Sequence, residues 1–274
     1  MINFLHTFQP RPILATLGPI HIYWYGLLMV SGILAAILVC LRLARFYDLK
    51  KEMIFDLSFW LIIFGLIGAR VYDDFLQLPY YWRQPLDALK IWQGGLAIHG
   101  AIIAGLIVIF VFARRRKINF WRLTALITPG LALAQTIGRW GNYFNQELFG
   151  RPTALPWGLP IAPEHRPPTF MADSFFQPTF LYESLGCLFI FLILFSLNLY
   201  FIKRQRLNER IFVWLTALYM ILYSILRFAL EFLRLDETPI FLSWRWPQII
   251  SLLLIILALL ILIFNPHASR QKTD

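Results

Sequence analysis

Hydrophobic residues fall into seven long runs along this chain, and short polar or basic stretches separate each run from the next. A helix that crosses a lipid bilayer needs about 20 mostly apolar residues, with about 17–25 tolerated. The pattern therefore predicts membrane-spanning helices at residues 20–43, 54–72, 96–113, 120–137, 179–202, 211–233 and 249–264. Pro129 and Gly130 interrupt the fourth run, where we expect a kink rather than a break.

The composition excludes an ordinary water-soluble domain. Charged residues make up only 15% of the 274 residues and hydrophobic residues 59%, whereas soluble proteins contain about 25% charged residues. A net charge of +10 would favour nucleic-acid binding in a soluble chain, but here the basic residues lie between apolar runs and indicate membrane topology. We expect an all-α polytopic membrane protein with seven transmembrane helices, one membrane domain over residues 1–274, and no nucleic-acid partner.

Lysine and arginine residues are distributed unevenly between the two sets of connections. The connections around residues 45–51, 114–122 and 203–210, together with the chain after residue 264, contain fourteen, and the other connections contain eight. Because basic loops remain in the cytoplasm, the N-terminus is predicted to lie outside and the C-terminus in the cytoplasm. The proline-rich segment 139–178 is then expected to form an irregular external cap.

Several ionisable side chains lie within the predicted spans, where they are costly and usually face the bundle interior or a wet cavity. Tyr223, Arg227, Glu231 and Arg234 are spaced to share one face of the sixth helix. That face is either a self-satisfied Arg–Glu pair or a cationic wall for an anionic ligand. His99, among small residues in the third span, is either a hydrogen-bonded structural group or a group suited to proton transfer.

Residues 138–150 combine an arginine, two asparagines and a glutamate where the fourth span meets the outer interface. The guanidinium fork of Arg139 suits bidentate phosphate binding, and asparagine suits a glycerol hydroxyl or an ester carbonyl. Glu183, near the outer end of the fifth span, is either solvated or paired with an arginine. Cys40 and Cys187 lie in apolar runs without metal-ligand spacing, which favours buried structural thiols.

The segment 138–150 resembles the signature G-R-x-x-N-[FY]-x-N-x-E-x-x-G of the bacterial prolipoprotein diacylglyceryl transferases. The pairs Tyr25-Gly26 and His99-Gly100, and the segments 178–183 and 223–234, also follow in the family's order and spacing. The chain departs from the family pattern at Ala101, where glycine is common, and at Gln177, where histidine is common. Because Gln177 replaces that histidine, an essential role for it is in doubt here, and His99 becomes the stronger candidate for a catalytic histidine.

The resemblance implies an enzyme of the bacterial cytoplasmic (inner) membrane with its active site toward the outer face. Such an enzyme transfers the diacylglyceryl group of phosphatidylglycerol to the lipobox cysteine thiol of a prolipoprotein signal peptide; a thioether forms, glycerol phosphate leaves, and no cofactor is needed. Membrane lipids are further partners. The catalytic residues expected are His99, Arg139 and Arg227, and the expected lipid-binding residues are Arg139, Asn142, Asn145, Glu147, Gly150, Tyr25, Tyr223, Glu231 and Arg234.

Two other classes of function use similar buried charges. A transporter or lipid flippase typically shows inverted repeats and paired broken helices, and the sequence shows neither. A phosphatase or phosphotransferase acting on lipid head groups usually needs a nucleophile or metal-binding carboxylates, and the predicted outer half has no such acidic cluster.

Overall fold

The computed structural model describes residues 2–264, and the predicted cytoplasmic cations Arg270 and Lys272 lie outside the described residues. Helices are the main elements, and short two-stranded antiparallel sheets lie between them. The helices are α1 (Ile2–Thr7), α2 (Trp24–Ala44), α3 (Lys51–Leu76), α4 (Leu78–Arg83), α5 (Ile98–Arg116), α6 (Phe120–Phe144), α7 (Thr179–Lys203), α8 (Glu209–Leu230) and α9 (Trp246–Phe264). The paired strands are β1 (Ile13–Leu17) with β2 (Ile20–Tyr23), β3 (Leu159–Pro160) with β4 (Phe175–Phe176), and β5 (Ile240–Phe241) with β6 (Trp244–Arg245).

Within residues 2–264, six helical segments are long and apolar enough to cross a membrane. The chain is therefore a multi-pass membrane protein. The helix α6 is not among the six, although it is 25 residues long, because polar and charged residues are spread along it. The six segments are Trp24–Tyr47, Lys51–Leu76, Ile98–Arg116, Thr179–Lys203, Glu209–Leu230 and Trp246–Phe264.

The helices α2 and α6 differ in extent from the predicted apolar runs. The helix α2 begins at Trp24 rather than at residue 20, because residues 20–23 pair with β1 as a strand. The helix α6 passes through Pro129 without a break and continues to Phe144, seven residues beyond the predicted end at residue 137. The first residues of the predicted cap are thus helical.

The end of α8 also differs from the sequence pattern. The helix ends at Leu230, so Arg234 does not lie on its regular face. Instead, Arg234 forms an isolated β-bridge with Gly150. Tyr223 and Arg227 lie on the helix and Glu231 is its C-cap residue, but the predicted position of Arg234 on the same helix face is wrong.

The described chain divides into two compact units, the first formed by residues up to Val39 together with those from Ile127 onward, and the second by Cys40–Leu126. In the first unit, small residues allow α2 and α6 to pack closely. A Cβ atom at Gly32 would lie 3.0 Å from the carbonyl oxygen of Ala134. Such close backbone approach is typical of helix pairs in membranes.

In the second unit, α3 and α5 cross with their backbones in contact. A Cβ atom on Gly100 would overlap the carbonyl oxygen of Gly68. The buried Arg70 fixes the turn before α5, because its Nε donates to the Ala88 carbonyl and its Nη1 to the Gly94 carbonyl, both at 2.8 Å. These contacts determine where α5 begins.

The turn that Arg70 holds also contains a local ion pair. The Lys90 ammonium donates to the Asp87 carboxylate at 2.6 Å, and the Tyr80 hydroxyl donates to it at 2.7 Å. Both hydrogen bonds lower the pKa of Asp87 below its ordinary value, and the bond from Lys90 has the larger effect. Asp87 is therefore a stable anion that neutralises Lys90.

The segment between α6 and α7 folds over a small apolar core of its own, which we call the cap core. The His6 Nδ1 atom donates to the Gly158 carbonyl at 3.1 Å, and the His6 ring stacks on Phe175. The N-terminal residues are therefore an integral part of the cap. The cap core consists of Leu5, Tyr143, Phe149, Leu159, Ile161, Phe176 and Phe180.

Candidate active site

Three arginines converge on one buried carboxylate, that of Glu183 in α7. Arg139 from α6 lies 2.7 Å from Glu183, Arg227 from α8 lies 3.3 Å away, and Arg234 lies 3.6 Å away. The Tyr223 hydroxyl donates to the same carboxylate at 3.4 Å. Since Glu183 is only 2% exposed, this carboxylate is the centre around which the ends of three helices are arranged.

A second buried carboxylate extends the cluster. Glu231 accepts from Arg227 at 3.0 Å and from Arg245 at 2.8 Å, and Asp236 accepts from Arg234 at 2.7 Å. Four guanidinium groups and three carboxylates are thus joined in one network with a net charge of +1. We call this set, Arg139, Glu183, Arg227, Glu231, Arg234, Asp236 and Arg245, the arginine cluster.

The positive groups of the arginine cluster are more accessible than its two central carboxylates. The side chains of Arg139 and Arg227 are 23% and 16% exposed, whereas those of Glu183 and Glu231 are 2% and 0% exposed. An anion that approaches Arg139 and Arg227 therefore meets guanidinium groups before it meets Glu183 or Glu231, whereas the more exposed carboxylate of Asp236 lies beside Arg234 and Arg245. This arrangement supports the interpretation of α8 as part of a cationic wall rather than a neutral internal pair.

Polar contacts between helices hold the arginine cluster in place. The Ser184 hydroxyl of α7 donates to the Thr136 carbonyl of α6 at 2.8 Å. The Tyr219 hydroxyl of α8 donates to the Gln135 side chain of α6 at 3.0 Å. Because each of the three helices is tied to a neighbour close to its arginine or glutamate, from the adjacent residue in α7 to about two turns away in α8, the charged groups are preorganised before any ligand binds.

The signature segment adds a chain of polar side chains to the arginine cluster. Arg139 donates to the Asn142 amide oxygen at 3.4 Å, and the Asn142 amide nitrogen donates to Glu147 at 2.8 Å. Tyr25 packs against Gly141, where an added Cβ atom would lie 2.7 Å from the tyrosine ring. The glycine at this position allows Tyr25 to lie beside the Arg139–Asn142–Glu147 chain.

Asn145 and Gly150 occupy the turns that follow α6. The backbone amide of Asn145 donates to the Gly141 carbonyl at 3.1 Å. At Gly150, a Cβ atom would lie 2.8 Å from the Thr179 methyl group and 3.0 Å from the Leu233 carbonyl oxygen. Gly150 thus lets the segments after α6 and α8 approach each other, and the lipid contact predicted for it stays a prediction.

His99 lies in the second compact unit, on the first turn of α5. The sequence pattern places it one turn inside the third span, but the helix begins only at Ile98, after a turn in which Gly94 and Gly95 adopt positive φ angles. Its side chain is exposed, and its ring centroid lies 5.9 Å from that of Tyr72. An exposed imidazole at a helix start is accessible to a substrate, and its catalytic role stays a prediction.

Comparison with known proteins identifies the family. The family model for prolipoprotein diacylglyceryl transferase matches residues 12–264. The chain belongs to this family. Curated relatives named phosphatidylglycerol–prolipoprotein diacylglyceryl transferase include those of Synechococcus elongatus (44% identity, covering 97% of this chain and 91% of the relative), a Nostoc species (42%, covering 92% and 87%) and Fervidobacterium nodosum (43%, covering 89% and 82%).

Membership of the family confirms the resemblance in the signature and the assignment to the transferases. The chain is a diacylglyceryl transferase of prolipoproteins, and neither a transporter nor a phosphatase. The structure also brings together Arg139, Arg227, Tyr223, Glu231 and Arg234, five of the residues that the sequence singled out.

Three acidic or basic members of the arginine cluster were not among the predicted site residues. Glu183 was identified only as a possible partner for an arginine, Arg245 only as a loop cation, and Asp236 not at all. A signal for Glu183 existed, because an uncompensated carboxylate in an apolar helix requires a cation. No comparable signal pointed to Arg245, since its contact depends on the β5–β6 hairpin folding back onto α8.

Proposed function

We propose that this family member transfers the diacylglyceryl group of phosphatidylglycerol to the lipobox cysteine thiol of prolipoproteins. The curated relatives carry phosphatidylglycerol in their names, and the arginine cluster fits its phosphodiester. The observation that carries the proposal is the convergence of Arg139 and Arg227 on buried Glu183, with their exposed surfaces and a net positive charge.

The proposed reaction is a displacement at the C3 carbon of the glyceryl group. The cysteine thiolate forms a C–S bond as the C3–O bond breaks, the electron pair passes to the phosphate oxygen, and the thiol proton passes to a base. The leaving glycerol phosphate is a monoester that carries one more negative charge than the diester. Fixed cations at the phosphate stabilise that developing charge, which is the role we assign to Arg139 and Arg227, with Arg227 nearer the leaving phosphate.

The lipid-binding set follows from the chemistry of the head group. Its hydroxyls and the ester carbonyls require short polar partners, which the Arg139–Asn142–Glu147 chain supplies beside Tyr25. Tyr223 donates to Glu183, the carboxylate on which the arginines converge, and Glu231 accepts from Arg227. The full proposed set is Tyr25, Arg139, Asn142, Asn145, Glu147, Gly150, Tyr223, Glu231 and Arg234.

We propose His99 as the base that removes the thiol proton, and a comparison of binding with catalysis tests this role. In His99→Gln, binding of fluorescent phosphatidylglycerol should stay within about twofold of wild type, while thioether formation at pH 7 falls about a hundredfold or more. The deficit should shrink as the pH rises past the thiol pKa of about 8.5, because the substrate then ionises unaided. Thioether product and released glycerol phosphate are measured on the same samples, and they should appear in equal amounts.

His165→Gln, which changes an exposed histidine of the cap, is the matched control and should behave as wild type. If His99→Gln loses lipid binding and shows the same deficit at every pH, His99 orients the lipid instead. Release of glycerol phosphate without thioether would indicate a hydrolase, and would contradict the proposed transfer.

We further propose seven membrane crossings, with the N-terminus and the cap outside. The support comes from the number of membrane crossings between residues that lie in the same core. Leu5 and Phe176 share the cap core, so the chain must cross the membrane an even number of times between them. The helices α2, α3 and α5 provide three crossings, and α6 provides the fourth.

A second contact favours the same topology. The Arg151 amide donates to the Leu233 carbonyl at 2.9 Å, so the segments after α6 and after α8 lie on one side, as two crossings by α7 and α8 require. A final crossing by α9 then leads to the cytoplasm. In this proposed topology the arginine cluster would lie toward the outer face, and the distribution of basic residues supports the same orientation.

Reporter fusions measure this topology directly. Fusions after Arg116 and Arg206 should report a cytoplasmic location, whereas fusions within residues 154–168 should report an external one. A cytoplasmic signal from the cap together with an external signal from Arg116 would invert the orientation. Equal locations for Arg116 and the cap would remove α6 as a crossing.

A further inference from the structure

The two carboxylate oxygens of Glu231, at the C-terminal end of α8, accept hydrogen bonds from two different arginines. Its Oε2 atom accepts from Arg227 at 3.0 Å and its Oε1 atom from Arg245 at 2.8 Å. The carboxylate is fully buried, so these two guanidinium groups provide most of the compensation for its charge. Whatever holds Arg245 in place therefore affects how strongly Glu231 neutralises Arg227.

Arg245 is fixed by the backbone as well as by Glu231. Its Nη1 atom donates to the Arg234 carbonyl at 3.0 Å, and its Nη2 atom donates to the Asp236 carbonyl. Its own amide donates to the Gln248 side chain at 3.0 Å. The guanidinium group cannot leave Glu231 without losing these hydrogen bonds to the turn that follows α8.

The charge of the arginine cluster depends on Arg245. With Arg245 the cluster has four cations and three anions, and without it the numbers are equal. Glu183 and Glu231 would then neutralise Arg227 more completely. An arginine so neutralised attracts a phosphodiester less, because the attraction scales with the net charge of the site.

We infer that Arg245 is a positioning residue of the transferase, which occupies one oxygen of Glu231 and so leaves Arg227 with positive charge for the phosphate of the lipid. The inference rests on the proposed binding of phosphate by Arg227. Arg245 acts through Glu231, and it has no assigned contact with substrate. It links the β5–β6 hairpin to the charge of the site.

A charge-rescue experiment tests this inference. Arg245→Gln removes the charge and keeps hydrogen-bond donors, so the KM for phosphatidylglycerol in neutral micelles should rise about tenfold. The double variant Arg245→Gln, Asp236→Asn restores a net charge of +1 and keeps an acceptor for Arg234, so its KM should return to within about threefold of wild type. Both kcat and the melting temperature are measured for each variant.

Arg166→Gln is the matched control, because Arg166 also binds two backbone carbonyls, those of Ile161 and Met171, inside the cap. Its KM for phosphatidylglycerol should equal that of wild type. If the KM of the double variant is higher than that of Arg245→Gln, Arg245 only stabilises the local structure and the inference is wrong.

Failure of this inference and failure of the proposed function give different results. A wild-type KM in Arg245→Gln, together with an impaired Arg227→Ala, overturns the inference and leaves the proposed function standing. Wild-type kinetics in both Arg245→Gln and Arg227→Ala overturn phosphate binding by Arg227 itself.

Discussion

Replacing either Arg139 or Arg227 by alanine is expected to reduce thioether formation a hundredfold or more. Each guanidinium group lies beside buried Glu183 and presents part of its surface to a ligand. Loss of one charged partner in such a site costs several kcal/mol. Each 1.36 kcal/mol of lost transition-state stabilisation corresponds to about a tenfold loss of rate.

Lysine substitutions separate charge from geometry at the same two positions. Lysine retains the charge but lacks the planar fork that binds two phosphate oxygens at once, so Arg139→Lys and Arg227→Lys should both be clearly impaired. The measurement is kcat/KM for phosphatidylglycerol, with the melting temperature recorded to confirm folding. Arg166→Lys in the cap should have a kcat/KM close to that of wild type. Wild-type rates in both lysine variants would contradict bidentate recognition and indicate that a diffuse positive field is enough.

Replacing Glu183 by glutamine is expected to produce the largest loss of stability. The change keeps the side-chain shape but removes the anion on which Arg139, Arg227 and Arg234 converge. Breaking a buried ion pair by removing one partner costs about 3–5 kcal/mol. The arginine cluster would then have four cations and two anions, and their repulsion should lower the melting temperature in neutral detergent.

Anionic lipid should partly reverse this loss. A phosphodiester bound at the arginines replaces the missing negative charge, so phosphatidylglycerol should raise the melting temperature of Glu183→Gln more than that of wild type. Phosphatidylcholine serves as the neutral lipid control. Glu164→Gln, which changes an exposed carboxylate of the cap, is the matched variant and should have no effect. Equal stabilisation of wild type and Glu183→Gln would indicate that phosphate binds elsewhere.

Local pattern was sufficient to predict where the long helices lie. Runs of apolar residues mark them because each must match the thickness of the bilayer. The apolar pattern did not predict the exact first and last residues of these helices, because contacts with other segments determine them. The helix α2 starts late because a hairpin competes for residues 20–23, and α8 stops at Leu230 because the following turn bridges to Gly150.

The candidate site was only partly predictable for a related reason. Arg139 and Arg227 are conspicuous as cations next to or inside apolar runs. Their partner Glu183 lies 44 positions from each of them, and only the packing of α6, α7 and α8 brings the three together. Arg245 reaches Glu231 through a hairpin turn formed by Leu242 and Ser243, both in left-handed conformation. No spacing rule predicts such a contact.

The placement of Leu5 in the same small core as Phe176 has a consequence for biogenesis. At about 5–20 residues per second, roughly 10–30 s separate the synthesis of the two residues. During that interval Leu5 lacks Phe176 as a packing partner, because α2, α3, α5, α6 and most of the segment after α6 are synthesised between them. Leu5 therefore reaches its final environment only after more than half of the described chain has been made. A substitution at Leu5 should thus act late, on formation of the cap core, rather than early, on insertion of α2.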